Sequence, residues 1–146
     1  MANFVYTAAK EEIMKGTVDF DLPDDFRVIL VDSTTTADTE EDALTVGGFT
    51  TLGELSGTGY TSGGDPLVGD AVNRDDPNNR AEYDATDTTW TGINAGTAQA
   101  AILIKWITNL TSSLPIAYID TGGFPITTNG GDLTIQWNAE GVLQLT

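Results

Sequence analysis

The segment QAAILIKWI at residues 99–107 decides the fold, because it contains the longest apolar run of the chain. Ala100, Ile102 and Ile104 alternate with Ala101 and Leu103, so both sides of an extended segment would be apolar. Strands that are buried on both faces have this composition. We therefore predict a central strand here, in a sheet that is covered on both sides.

Other short β-favouring segments recur along the chain, as they do in β-sandwiches and barrels. FRVILV at residues 26–31 is bounded by acidic turns and has the composition of a second strand buried on both faces. The polar, acidic residues 32–42 predict an exposed loop. Further strands are predicted at residues 66–73, 80–85, 88–93 and 114–120.

The C-terminal residues have the clearest alternation. Leu133, Ile135 and Trp137 alternate with polar residues, and residues 138–141 have the composition of a turn. Apolar residues then return at Leu143 and Leu145. This pattern predicts a β-hairpin with one buried face.

Two helices are predicted. The first spans residues 3–15, with Asn3 as its N-cap and Gly16 as its stop signal. Glu11 and Lys15 have the spacing of an ion pair on one helix face. Its apolar face would consist of Val5, Ala9 and Ile13. The second is a short helix at residues 50–55.

Together these elements predict a mainly β fold. A chain of 146 residues has the length of one domain, and no internal repeat or linker divides it. We expect a single antiparallel β-sandwich domain over residues 1–146, jelly-roll-like, with a short N-terminal α-helix at about residues 3–15.

The charge balance excludes some partners. The chain has 22 acidic and six basic residues and a formal net charge of −16. Nucleic acid and anionic membrane surfaces are therefore poor partners, because both bind clustered Lys and Arg. No apolar run approaches the roughly 20 residues that cross a bilayer. We expect a soluble protein made in a cytoplasm, whose tight contacts use a locally neutral surface.

The residues Cys and His are both absent, which excludes disulfides, Cys/His zinc sites, thiol nucleophiles and imidazole bases. A catalytic carboxylate pair of the glycosidase type is the remaining enzymatic hypothesis. At this net charge most carboxylates must simply be solvated. We therefore expect a protein that is not an enzyme and has no cofactor.

Two motifs have both a functional and a structural interpretation. Acidic residues cluster at residues 19–25 (Asp19, Asp21, Asp24, Asp25), and a second pair, Asp75 and Asp76, lies beside Asn78 and Asn79. They could ligate calcium, but the spacing of an EF-hand loop is missing and turn formation explains them as well. The glycine-rich residues 57–64 lack the endings of phosphate-binding loops. A turn or a contact loop is the favoured interpretation there, and no metal site is predicted.

Aromatic residues supply the candidate contact surface. Trp106 and Trp137 follow the inward register of their strands, so core packing is expected for both. Trp90 lies among threonines and its role stays open. Residues on segments that the strand pattern does not bury, or that could stack on a ligand, are candidates for partner binding. These are Phe4, Val5, Tyr6, Tyr60, Trp90 and Phe124.

Four sequence blocks together resemble small structural proteins of tailed-bacteriophage virions. They are SGTGYTSGG at residues 56–64, DTTW at 87–90, LPIAYIDTGG at 114–123 and GDLTIQWNAEGVLQLT at 131–146. The resemblance implies a capsid decoration or cement protein, in the form of a homotrimer that binds the major capsid protein. Cement proteins bridge neighbouring shell subunits and reinforce them without any turnover.

The net charge favours the outer face of the capsid, because packaged DNA would repel a domain of charge −16 inside the head. A neck, tail or fibre protein of the same virion is the first alternative. A carbohydrate-binding module that uses Trp90 and Tyr60 with calcium is the second.

Overall fold

The computed structural model describes residues 3–21 and 25–146, which form a mainly β structure with one α-helix. Two short 3₁₀ helices lie at Val46–Gly48 and Asp76–Asn78. The other elements, in chain order, are β1 Phe4–Val5, α1 Thr7–Lys15, β2 Phe26–Val31, β3 Asp65–Pro66, β4 Ala71–Asp75, β5 Arg80–Asp84, β6 Thr88–Trp90, β7 Thr97–Ala98, β8 Ala100–Lys105, β9 Leu114–Ile119, β10 Ile126–Thr127, β11 Leu133–Ile135 and β12 Leu143–Leu145.

The largest sheet has five strands in the order β1-β9-β8-β2-β3, and its neighbours are all antiparallel. Strand β8 lies in its centre, and Ile102, Leu103 and Ile104 are completely buried. The predicted central strand is therefore confirmed. Its composition fits the position, since apolar side chains project from both faces into the core.

A second layer packs against one face of this sheet. It contains the three-stranded sheet β12-β5-β4 and the pair β11-β6. The ring of Tyr83 on β5 lies 5.4 Å from that of Phe26 on β2, and Phe20 contacts both rings. The result is the predicted antiparallel sandwich with a short helix near its N-terminus.

The opposite face of the large sheet is covered by the segment that follows β2. Tyr6 projects toward this side, where its hydroxyl donates to the carbonyl oxygen of Ala37 at 2.9 Å and its ring contacts Phe49. Helix α1 packs beside β9 and buries Ala8 and Ala9. The core is thus one cluster that includes both faces of the large sheet.

The N-terminal helix is shorter than predicted, because it begins at Thr7 and Asn3 does not cap it. Phe4 and Val5 form strand β1 instead, paired with Tyr118 and Ala117. Aromatic and β-branched side chains pack well on a sheet, and the ring of Phe4 stacks on that of Tyr118 at 5.4 Å. The predicted Lys15–Glu11 pair and the Gly16 stop are both present.

Glycines explain three further differences. Residues 50–55 are not helical, because Gly53 has φ +64° and the segment extends so that Glu54 bridges Val31. The predicted strand at 66–73 is divided into β3 and β4 around Gly69, at φ +63°. Strand β6 ends at Trp90, before Gly92 at φ +61°. Positive φ interrupts a regular strand or helix.

The predicted C-terminal hairpin is wrong. Strands β11 and β12 exist, but β11 pairs with β6 and β12 pairs with β5, while only a single bridge, Asn138–Gly141, joins the two sides of the turn. Alternation correctly located the strands and their buried residues Leu133 and Ile135. It carries no information about which partner a strand chooses.

Candidate functional site

A groove of about 570 Å³ opens between the two layers at the β1 edge of the large sheet. Strands β1 and β9 form one wall, β11 and residues 136–143 form the other, and residues 121–126 close one end. Among the described residues that line it, none is Asp, Glu, Lys or Arg. We refer to it as the uncharged groove.

The absence of charge along this groove distinguishes it from the chain as a whole, which has 22 acidic residues and a net charge of −16. A protein that binds here meets apolar, amide and hydroxyl groups, so contact with the lining itself desolvates no carboxylate. The central part of a protein interface is typically depleted of charged residues in this way. The groove is therefore the best candidate contact surface of the described chain.

The sheet wall of the groove is set by strand alternation. Val5 pairs with Ala117, and Ala117 pairs with Leu103, so their side chains lie on the face that packs against the second layer. Phe4 pairs with Tyr118, which places these two rings on the opposite face. Val5 and Ala117 thus project from the sheet wall into the groove, and Phe4 borders it.

Asn3 fixes the start of β1 to the end of β9. Its side-chain oxygen accepts hydrogen bonds from the backbone N–H groups of Asp120, at 3.0 Å, and Thr121, at 3.3 Å. Its amide group donates to the hydroxyl of Thr121 at 2.8 Å. This residue was predicted as a helix cap, and its actual role holds the groove's sheet wall in place.

Trp137 lies on the opposite wall. Its backbone N–H donates to the carboxylate of Asp87 at 3.0 Å, which fixes the chain just beyond β11. The indole packs against the core without being fully buried, so the core prediction for Trp137 is only partly confirmed. Its Nε1 atom is buried and has no acceptor within the described residues, a state that costs about 1 to 3 kcal/mol.

The six predicted contact residues do not form one surface. Phe4, Val5 and Phe124 come together at the uncharged groove, although 120 or so residues separate the first from the last. Tyr6 and Trp90 are 0% and 2% exposed, so the prediction that they contact a partner does not agree with their burial. Alternation turns Tyr6 inward, and Trp90 lies in the core cluster with the ring of Tyr60 stacked on it.

Tyr60 belongs to a separate, rigid arrangement. Its hydroxyl donates to Glu54 at 3.0 Å and accepts from the backbone N–H of Leu30 at 3.1 Å. Burial, followed by the charge of Glu54, raises the pKa of Tyr60 well above its usual range. The carboxylate of Glu54 also accepts from Ser62 and from the N–H of Gly63. The glycine-rich loop therefore has a defined shape.

Trp90 and Tyr60 provide no open platform for a sugar. Their rings are stacked with centroids 6.5 Å apart, and Trp90 is buried beneath. Binding to a sugar needs an accessible aromatic face. Trp106, predicted as core, is half-buried and packs against the core from its edge, with the Arg27 guanidinium 3.9 Å above its ring.

A second groove, of about 490 Å³, lies at the other end of β9, near Leu114. Leu44 and Ile107 are 70% and 58% exposed beside it. Lys15 and Lys105 line it together with Glu11 and Glu12, so its four charges cancel. Lys15 pairs with both glutamates at 2.8 and 3.0 Å, and hydrogen bonds to Glu11 and then Glu12 raise its pKa.

Local bonds explain the acidic residues at 75–79. Asp75 accepts from Asn78 at 2.7 Å and from Arg80 at 2.8 Å, and Asp76 pairs with Arg74. Within residues 3–21 and 25–146 no group of three or more acidic side chains is arranged to hold a metal ion. Asp24 of the first cluster lies outside the described residues. No helix in the described part of the chain is long and apolar enough to cross a membrane.

No protein-family model, curated protein or solved structure matches this chain.

Proposed function

We propose that the chain is a virion structural protein of a tailed phage that works by binding and has no catalytic turnover. Its proposed role is capsid decoration: a homotrimer on the outer face of the capsid binds the major capsid protein and reinforces the shell. The observation that carries the binding role is the uncharged groove on a chain of net charge −16. The phage context comes from the sequence resemblance.

Electrostatics support this division of the surface. The acidic remainder keeps free copies apart in solution and disfavours contact with DNA. The groove offers apolar and aromatic area, including Phe124 and Trp137, where association meets no like charge. A binding protein that must remain soluble until it meets its target benefits from both properties.

A cement protein must contact two neighbours at once, and the two grooves suit that requirement. The uncharged groove adjoins the C-terminal half of β9, and the second groove, whose four charges cancel, adjoins its first residue, Leu114. Six residues of strand separate the two ends by about 17 Å. Each groove would face a different capsid subunit.

The direct test uses DNA-filled heads of the phage that encodes the chain, purified with and without it. We expect heads that contain the protein to release DNA at a higher temperature. Equal release temperatures would contradict a reinforcing role. Copy number separates the alternatives: hundreds of copies per particle support the shell, whereas six, twelve or a few tens support the neck or tail.

A pair of variants tests whether the groove is the contact surface. Phe124→Asp adds a negative charge at the groove, and Met14→Asp adds the same charge at a side chain that is 90% exposed outside it. We expect the first to weaken binding to heads by about tenfold or more and the second to leave it unchanged. Equal binding by both variants would show that the contact surface lies outside the groove.

A further inference from the structure

We infer that the occupant of the uncharged groove is an extended, uncharged segment of the partner protein, which adds as a strand to the outer edge of β1. This inference rests on the proposed function, since the partner there is the capsid subunit. It specifies how the contact is made and which atoms make it.

The outer edge of β1 has main-chain groups to which no described residue is bonded. No strand of the described chain pairs with its outer side, because β9 is its one neighbour in the sheet. The N–H of Tyr6 donates inward to the carbonyl of Ile116 at 3.0 Å. By antiparallel alternation, the N–H and C=O groups of Val5 then point outward. An edge of this kind is a template for another chain.

The free part of this edge is short and well defined. The next outward N–H group, that of Thr7, already donates to the carbonyl of Glu41 at 2.9 Å. At the other end, the side chain of Asn3 is bonded to Thr121 and holds β1 in position. An added strand would therefore align with residues 3–5, where the receiving strand is already ordered by the fold.

Strand addition here also fills the groove. The side chain of Val5 projects from the sheet wall into the groove. A strand beside Val5 therefore directs alternate side chains into the same space between the layers. Main-chain hydrogen bonds would supply affinity, and the shape of the groove would select the side chains. The absence of Asp, Glu, Lys and Arg from the lining requires these side chains to be uncharged, since a buried charge would lack a partner.

A second copy of this chain is a poorer occupant. Each copy carries −16, so a contact between copies has to offset their mutual repulsion. A free edge of only three residues is too short for that, and the proposed homotrimer would need a larger contact elsewhere on the surface. The segment that could pair must also be extended and uncharged over several residues. The charge of a different protein is not fixed at −16, so the first restriction does not apply to it by necessity, and the groove itself imposes only the second.

The experiment uses the full chain and DNA-free heads from a phage that lacks its gene. Val5→Pro removes the outward N–H without removing a bond to β9, and Val5→Ala is the matched control that keeps the N–H. Binding is measured by co-sedimentation, and circular dichroism and thermal unfolding verify that both variants fold. We expect Val5→Pro to bind at least about tenfold more weakly than Val5→Ala.

A second readout uses the unmodified chain and does not depend on whether Val5→Pro folds. Amide-resolved hydrogen-exchange mass spectrometry compares the Val5 amide in the free and the head-bound protein. We expect slower exchange at Val5 in the bound state. Equal exchange, or equal binding by the two variants, would overturn strand addition while leaving decoration intact.

Two other outcomes identify different failures. If the unmodified chain does not bind heads at all, the proposed function fails and the inference falls with it. If Val5 is protected in the isolated chain, and only at concentrations where sedimentation shows a dimer or trimer, the occupant is a second copy. That result would overturn the assignment of the edge to the partner protein.

Discussion

The side-chain oxygen of Asn3 accepts a hydrogen bond from the backbone N–H of Asp120 at 3.0 Å, across a separation of 117 residues. Together with its two bonds to Thr121, this contact ties the two-residue strand β1 to the sheet. Two residues alone make few ladder bonds. The position of the groove's edge therefore depends on one exposed amide side chain.

Replacing Asn3 with Ala should loosen β1. We expect a loss of about 1 kcal/mol in the free energy of unfolding, because several hydrogen bonds at an exposed site are exchanged for bonds to water. Urea unfolding measures this loss, and hydrogen exchange at Phe4 should become faster. Asn73→Ala, at an exposed position of β4 in another sheet, is the control and should leave both values unchanged.

The centre of the large sheet should be the most sensitive part of the core. Ile102→Ala, at a side chain with no exposure, should cost about 2 to 5 kcal/mol, because it removes buried methyl groups and leaves a cavity. Ile107→Ala makes the same chemical change at a residue that is 58% exposed, and should cost about 0.5 kcal/mol or less. Similar losses in urea unfolding would contradict the observed burial.

The hydroxyl of Tyr60 should contribute substantially to the free energy of unfolding. Tyr60→Phe removes the group that accepts from the N–H of Leu30 and donates to Glu54. We expect a loss of about 1 to 3 kcal/mol, because the Leu30 N–H then lacks its acceptor within a buried strand. The amide of Gly63, bonded to the same glutamate, should also exchange faster. Unchanged stability would show that water replaces the hydroxyl.

Acid should weaken the bond between the C-terminal segment and β5. Arg80 pairs with Asp75, Glu82 and Glu140. A hydrogen bond from Arg80, then one from Gln144, lowers the pKa of Glu140, and hydrogen bonds from Asn78 and Arg80 lower that of Asp75. Carboxyls with a lowered folded-state pKa stabilise the protein above their unfolded pKa of about 4, and this contribution is lost as pH falls through the folded pKa.

Glu140→Gln tests this dependence on pH. Its melting temperature should lie below that of the unmodified protein at pH 7, and the gap should close as the pH falls below about 4, where the native carboxyl becomes protonated too. High salt should narrow the gap as well, since Glu140 is largely exposed. The control Glu41→Gln removes one exposed charge away from Arg80. A gap that stays constant with pH would exclude the ion pair as its cause.

The sequence predicts the strands that a hydrophobic pattern marks. It does not predict where glycines interrupt a strand or which distant strands pair. Strands β2, β8 and β9 were found because each is a nearly continuous apolar run. Strand β1 was missed because Phe4 and Val5 continue the helical pattern of the next segment, and only pairing with Tyr118 and Ala117 reveals them as a strand. Local sequence contains no record of that partner.

The candidate site was predictable only in part. Phe4, Val5 and Phe124 were singled out as apolar residues on weakly patterned segments, and they do meet at one groove. The sequence predicts Trp137 to be in the core, because alternation shows which face of a strand points inward. Alternation does not show whether the space between the layers is filled or open at that position. Tyr6 is an aromatic residue of the same N-terminal segment as Phe4, yet it is buried and its ring contacts Phe49.

The pairing of β6 with β11 and of β5 with β12 also has a kinetic meaning. During synthesis, β5 and β6 leave the ribosome roughly 45 to 60 residues before their partner strands β12 and β11. Until then β6 and one edge of β5 expose unpaired main-chain groups, because only β5 has an earlier partner, β4. Topologies with such distant partners fold slowly, and the sheet β12-β5-β4 can be completed only after synthesis has passed residue 145.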